Sequence, residues 1–490
     1  MKRIIPILVL CATLAACSTQ PARHATDEPF RSVYHHTPEV NWMNDPNGMF
    51  YDDATGLWHL YYQHNPEAPV WGPMHWGHSV SSDLIHWEHK GIVLAPDSLG
   101  TIFSGSIVID RNNTAGFGEN AIVAIYTQSE YIGQHQSIAY STDGGMTFTK
   151  YEANPVLMGD IADFRDPKVM WDGTQWVMIL ACQQEIRFYG SSNLKEWTLL
   201  SHFGEGVGAH GGVWECPDLI KIKCENGKCE NEKIEQWVLL VSINPGGPFG
   251  GSATQYFVGN WNGKEFKCEN DKMIKWLDYG KDNYSTFTWH NAPDNRIVSM
   301  GWMSNWQYAQ QVPTIAFRSQ NTIARELSLY RDDAGEYRVR VVPSPEVWII
   351  KDKQVNQPTD ACIVELSLSS EETSVITLSN DKGEKVTLIL DVHRQTFSMD
   401  RTASGNCGFS ADFAAVTTVP LFKCSNGSIN EQIVNEQIVN EKIYLFIDHC
   451  SIEAFDGDGA WAMTNLVFPS EPYNHIHVVG GEATIYDVKR

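Results

Sequence analysis

Three acidic residues sit next to or near a proline at the start of apolar, β-rich segments. Asp45 lies in Asn-Asp-Pro-Asn-Gly, Asp166 in Phe-Arg-Asp-Pro and Glu215 in Trp-Glu-Cys-Pro. Taken singly each is an ordinary turn, because Asp, Asn, Pro and Gly favour turn geometry for purely local reasons. Together they matter if the fold brings them into one cavity, since clustered carboxylates repel and such clusters are kept mainly where they do chemistry. Cleavage of a glycosidic C–O bond needs this arrangement. One carboxylic acid protonates the leaving oxygen while a second carboxylate attacks, or shields, the cationic carbon. Glu215, with Trp214 next in sequence and other acids expected nearby, is expected to carry the raised pKa of the acid; Asp45 is expected to be the ionised nucleophile.

For three distant acids to converge, the chain must repeat a structural unit. Four segments echo one another: SSDLIHWEHKG at 81–91, STDGGMTFTKY at 141–151, SSNLKEWTLL at 191–200 and the degenerate GNWNGKEFKCE at 259–269. Each is a polar turn leading to an aromatic residue: Trp87, Phe148, Trp197 and Phe266. Their spacing of roughly 50 to 70 residues is close to that of four-stranded β-propeller blades. Between them run short β-rich stretches such as AIVAIYTQ, QWVMILAC and QWVLLVSI, and almost nothing reads as a long amphipathic helix. If each blade begins with its innermost strand, the three acids point into the axial funnel, where a propeller has room for a ligand.

The pattern changes near residue 345. RDDAGEYRVRVVPSPEV reads as a hairpin and a Pro-punctuated linker, after which ACIVELSLSS, SVITLSN, KVTLILDV and KIYLFIDH alternate as strands with one buried face. A two-sheet sandwich over 345–490 is the expected closure, following a propeller over 31–335. The tandem NEQIVNEQIVNEKI at 430–443 reads as an expanded surface loop.

Residues 1–17 combine Lys2 and Arg3 with a short apolar run and the ending Leu-Ala-Ala-Cys, the pattern of an export signal. Residues 18–30 are then a polar tether. Of 11 Cys, Cys11 would leave with the signal. Cys224 and Cys229 bracket the turn ENGK and could close a small loop, with connectivity left open. There is no Cys-x-x-Cys and no His-Glu-x-x-His; His75 and His78 form at best a weak metal motif, and no metal or cofactor is implied.

The 490 residues carry 59 acidic against 36 basic side chains, a formal charge of −23 that repels phosphate backbones and anionic membrane surfaces. Nucleic acid is a poor partner. Aromatics at 11%, including 17 Trp, suit all-β cores and the apolar faces of sugars, so neutral carbohydrate is the favoured substrate class.

WMNDPNG, FSGS at 103–106, FRDP, WECPDL and GWMSNWQY at 301–308, in this order, resemble glycoside hydrolase family 32, which includes invertases, inulinases and levanases. The resemblance covers about residues 30–490. It implies an all-β chain, a five-bladed β-propeller followed by a C-terminal β-sandwich, that cleaves β-fructofuranosides with retention. By motif, Asp45 matches the nucleophile, Glu215 the acid/base, and Asp166 the residue that holds sugar hydroxyls and stabilises the transition state. Retention implies that the Asp45 and Glu215 carboxyls lie roughly 5 Å apart. Asn44, Gln63, Ser104 and Arg165 are the implied polar contacts to one fructosyl unit; Trp71 and Trp306 are implied stacking rings, with Trp42, Trp76 and Phe103 shaping the wall. Cys216 matches a Cys that follows the acid. Leu-Ala-Ala-Cys resembles a bacterial lipobox, implying acylation of Cys17 and a membrane association through lipid alone. The resulting expectation is an exported exo-acting β-fructosidase acting on levan, inulin and sucrose. A sucrose-specific invertase, an endo-levanase and a non-catalytic fructan-binding lipoprotein are the alternatives.

Overall fold

The computed structural model describes residues 28–130, 133–224, 235–422 and 441–489. The expected export signal, Cys17, nearly all of the expected tether, Cys229 and most of the 430–443 repeat lie outside the described residues. Cys224 is disulfide-bonded, and Cys182, Cys216, Cys268, Cys362, Cys407 and Cys450 are free thiols.

The described residues between Asn41 and Pro343 form five antiparallel sheets, whose first strands are Asn41–Asp52, Thr101–Asp110, Phe164–Trp171, Val213–Lys223 and Tyr284–Thr288. Each of these inner strands packs against the next, and the fifth packs against the first, so the sheets close into a ring of five blades. A short parallel pairing of Asn41 and Trp42 with Phe317 and Arg318 ties the first blade to a segment of the fifth. The fifth sheet runs on through Tyr337–Pro343, so the hairpin around 331–343 extends the propeller past residue 335.

Burial patterns explain why the two halves of the chain read differently. Second strands such as Trp176–Cys182 are buried at every position, because blades stand face to face in the ring and cover both sides of a middle strand. Val177, Ile179 and Ala181 pack towards the fourth blade, Met178 and Leu180 towards the second. In the sandwich, Ser374–Ser379 alternates buried and half-buried residues, as expected for a sheet covered on one face.

The repeated polar turns are one local device used three times. Asp83 N–H donates to Ser81 Oγ, Asp143 N–H to Ser141 Oγ and Asn193 N–H to Ser191 Oγ. In each turn the Asp or Asn side chain then accepts a backbone N–H three residues on. Asn262 accepts the N–H groups of Lys264 and Glu265 in the degenerate fourth copy. These Asx turns redirect the chain between the third and fourth strands.

The sandwich has a six-stranded sheet and a five-stranded sheet enclosing an apolar core around Leu366, Leu388, Phe397, Leu445 and Met463. It shares a second core with the propeller, where Leu327, Val339 and Val341 meet Val347, Ile363, Phe446 and Phe455. Buried ion pairs cross the same boundary: Arg325, paired with Asp278 inside the propeller, also joins Glu453 of the sandwich, and Arg401 of the sandwich joins Asp282 at 2.5 Å. Residues 28–40 run between the domains, with His35 held 2.8 Å from both Asp448 and Glu453.

Candidate active site

The acid-proline motifs mark bulges in the inner strands. The pairing register slips between Met43 and Pro46 in the first blade, between Arg165 and Lys168 in the third and between Glu215 and Asp218 in the fourth. Pro has no N–H to offer a ladder, so a bulge is where a strand tolerates it. Asp166 and Cys216 occupy left-handed backbone with φ of 63° and 50°, and Ser285 of the fifth blade follows at 51°. Each such non-glycine residue costs about 1–3 kcal/mol. At the bulges the regular alternation of side chains between the two faces is broken.

The three carboxylates converge. Cys216 Sγ lies 3.5 Å from Oδ2 of Asp45 and 3.5 Å from Oδ2 of Asp166. Asp166 Oδ2 also accepts the Cys216 N–H at 3.1 Å. Glu215, beside Cys216, receives Arg165 Nε and Nη2 on Oε1 at 3.0 and 2.9 Å, and the Tyr284 hydroxyl donates to its Oε2. Arg165 Nε stands 3.9 Å from Asp166. Four blades therefore contribute to one cluster: Asp45, Asp166 with Arg165, Glu215 with Cys216, and Tyr284.

Electrostatics follow from this packing. Burial raises the pKa of Asp45, and nearby Glu215 adds to the rise while the Ser104 hydrogen bond opposes it. Asp166 is pushed up to about 7, first by burial and then by Glu215 and Asp45, against the pull of Arg165. The Cys216 thiol is held well above its ordinary value by burial and by the three surrounding carboxylates, which keeps it neutral. Trp214 does not provide the apolar flank expected for Glu215. Its indole is buried among Phe257, Ile243 and Phe203 and donates to the Ala209 carbonyl, because alternation along the strand sends it away from the funnel. The neighbours of the Glu215 carboxylate are Arg165 and Tyr284.

The polar contacts divide by what they already bind. Ser104 donates to Asp45 Oδ2 at 2.6 Å, so it orients this carboxylate rather than standing free for a sugar. Asn44 accepts the Trp42 indole N–H at 2.8 Å, and its side chain helps to hold the Asp45 pKa down. Asp45 Oδ1 and Gln63 Nε2 are buried without a protein partner. Buried polar atoms of this kind are normally satisfied, and here a bound hydroxylated ligand is the natural partner. Trp71 stands at the rim, 44% exposed, with its ring edge-on to Phe103 at 6.0 Å. Trp306 stacks on Trp42 at 5.8 Å, and Trp76 is fully buried with its N–H on the Phe103 carbonyl. Tyr284 and Trp302 also line this region, the second with a buried indole N–H that lacks a partner. Tyr284 lies in none of the sequence motifs, so only the fold reveals it, whereas Trp302 lies within GWMSNWQY. Among the described residues no group of three His, Cys, Asp or Glu could hold a metal; His78 faces His59 inside the first blade while His75 bonds the Pro73 carbonyl.

Comparison with known proteins matches residues 35–340 to the N-terminal domain of glycosyl hydrolases family 32 and residues 338–489 to the family's C-terminal domain. The chain belongs to glycoside hydrolase family 32. As a member of family 32 it is a glycoside hydrolase, and its propeller and sandwich correspond to the two family domains. It is 40% identical to a levanase of Bacillus subtilis over 96% of this chain and 71% of that protein. It is 35% identical to an extracellular exo-inulinase of Aspergillus awamori over 94% of each. The crystal structure of the A. awamori exo-inulinase superposes with a TM-score of 0.85 at 33% identity, covering 94% of this chain and 99% of the other. A fructofuranosidase from Schwanniomyces occidentalis complexed with fructosylnystose gives 0.84 at 33% identity, covering 95% and 99%.

Proposed function

We propose that this family 32 hydrolase is a retaining exo-β-fructosidase that removes terminal fructose from levan or inulin and also hydrolyses sucrose. The observation that carries the proposal is the convergence of Asp45, Asp166 and Glu215 around the Cys216 thiol, with Asp45 Oδ1 left unpartnered. The relatives named levanase and exo-inulinase support the choice of fructan.

In the first step Asp45 Oδ1 bonds to the anomeric carbon of the terminal fructosyl unit as the glycosidic C–O bond breaks, and the Glu215 proton passes to the leaving oxygen. Ser104 keeps Oδ2 engaged, so the free oxygen is the one that attacks. In the second step Glu215 takes a proton from water, the water oxygen bonds to the same carbon, and the Asp45 ester bond breaks. Two displacements restore the starting configuration. Asp166 is assigned to the sugar hydroxyls, whose hydrogen bonds strengthen as positive charge develops on the ring. Trp71 and Trp306 are assigned to stacking on apolar sugar faces.

Incubation of the purified protein with levan, inulin and sucrose, followed by product identification, tests the substrate assignment. Fructose as the sole early product from both polymers is expected. Mixed oligomers indicate internal cleavage, turnover of sucrose alone indicates an invertase, and binding without released fructose indicates a binding protein. Asp45→Asn is expected to abolish hydrolysis while sparing binding.

Export with acylation of Cys17 is proposed alongside, carried by the Leu-Ala-Ala-Cys ending. The expected outcome is a membrane-associated protein that Cys17→Ala releases into the soluble fraction. Among the described residues no helix is long and apolar enough to cross a membrane.

A further inference from the structure

The strained bulge that carries Asp166 is bracketed by side chains from the neighbouring second blade. Its own ladder is interrupted between Arg165 and Lys168, so the Asp166 N–H lacks a strand partner. Thr127 Oγ1 accepts that N–H at 3.0 Å, and the Thr127 hydroxyl in turn donates to Gln136 Oε1 at 2.7 Å. Gln136 Nε2 donates to the Phe164 carbonyl at 2.9 Å. On the far side of the bulge Ser106 donates to the Pro167 carbonyl at 2.8 Å and accepts the Val169 N–H at 3.0 Å. Thr127 and Gln136 sit opposite each other in the second blade, both fully buried, and Ser106 lies on its inner strand.

We propose that Thr127, braced by Gln136, is a positioning residue for the reaction: it holds the left-handed Asp166 backbone so that the Asp166 carboxylate meets the substrate in register. Three observations support a role in placement. The hydroxyl is spent entirely on the bulge and on Gln136. Its target is a residue in backbone geometry that does not persist unless surroundings hold it. The four backbone groups tied by Gln136, Thr127 and Ser106 run from Phe164 to Val169 and so span Arg165 and Asp166, together with Lys168, which pairs with Asp218. Removing the Thr127 hydroxyl leaves a buried N–H and a buried amide oxygen unpaired, and the cheapest relief is rotation of the Asp166 peptide away from the funnel.

The proposal rests on the assignment of Asp166 to the substrate, and the experiment separates the two. Thr127→Val, nearly the same shape without the hydroxyl, is expected to lower kcat/KM on sucrose about 10- to 100-fold, as misplacement of a reacting group by about 1 Å does. Thr127→Ser is expected to restore most of the activity. In an Asp166→Asn background, Thr127→Val is expected to cost less than about twofold, since its effect runs through Asp166. Circular dichroism and melting curves accompany each variant, and Ser106→Ala and Gln136→Met, expected to lower kcat/KM in the same direction by less, decide the matter if Thr127→Val does not fold. Wild-type kinetics for folded Thr127→Val, or for both flanking variants, overturn the positioning role. The same loss in both backgrounds overturns it too. Wild-type kinetics for Asp166→Asn overturn instead the assignment beneath it.

Discussion

Arg165 of the third blade donates from Nε and Nη2 to a single oxygen of Glu215 in the fourth, at 3.0 and 2.9 Å, and leaves the other oxygen to the Tyr284 hydroxyl. The guanidinium fork pins one oxygen and the Tyr284 hydroxyl holds the other, so the two residues together fix the plane of the carboxylate as well as its position. Arg165→Lys keeps the charge and loses the fork. We expect kcat/KM on sucrose to fall about 10- to 100-fold, with secondary structure unchanged by circular dichroism. Activity within twofold of the wild type would show that the fork does not orient Glu215 for proton transfer.

Asp166 gives the folded protein a pH dependence of unusual sign. Its folded pKa of about 7 lies above the ordinary 3.8, so the native state holds a proton that the unfolded chain has released. Folding stability is therefore lost as pH rises from about 4 to about 7. Asp166→Asn removes that loss. Denaturant unfolding is expected to show no gain for the variant near pH 4 and a gain of about 1–3 kcal/mol above pH 7. A difference independent of pH would contradict the buried, proton-retaining Asp166.

His35 behaves in the opposite way. Burial depresses its basicity, but the Asp448 and Glu453 carboxylates 2.8 Å away outweigh this and lift it from 6.5 to about 9. The contribution is fully present below pH 6.5 and disappears as pH rises through about 9. His35→Gln is expected to lose about 3 kcal/mol at pH 6 and to approach the wild type above pH 9, as read by denaturant titration. A constant deficit from pH 6 to 10 would mean that His35 contributes by shape alone.

The parts of this molecule legible in its sequence are those fixed by local chemistry. The Ser-x-Asp and Ser-x-Asn turns announce themselves because the hydrogen bonds that form them lie within a few residues. The prolines after Asp45, Asp166 and Cys216 mark strand bulges because Pro cannot serve an unbroken ladder. Continuous apolar runs before residue 345 and alternating ones after it report how many faces of a strand are covered. Contacts across blades leave no such trace. Tyr284 reaches Glu215 from 69 positions away, and Thr127 meets Asp166 across 39. Trp214 points away from Glu215 for a related reason: adjacency in a strand places two side chains on opposite faces. Left-handed backbone at Asp166, Cys216 and Ser285 is equally silent, since no glycine marks it.

Stereochemistry tests the double displacement most directly. With sucrose and methanol as competing acceptor, the Asp45 ester is expected to pass its fructosyl group to methanol on the face the leaving group vacated. The predicted product, identified by NMR before any secondary hydrolysis, is methyl β-D-fructofuranoside. The α anomer as the product would contradict a covalent intermediate on Asp45 and, with it, the two-step mechanism.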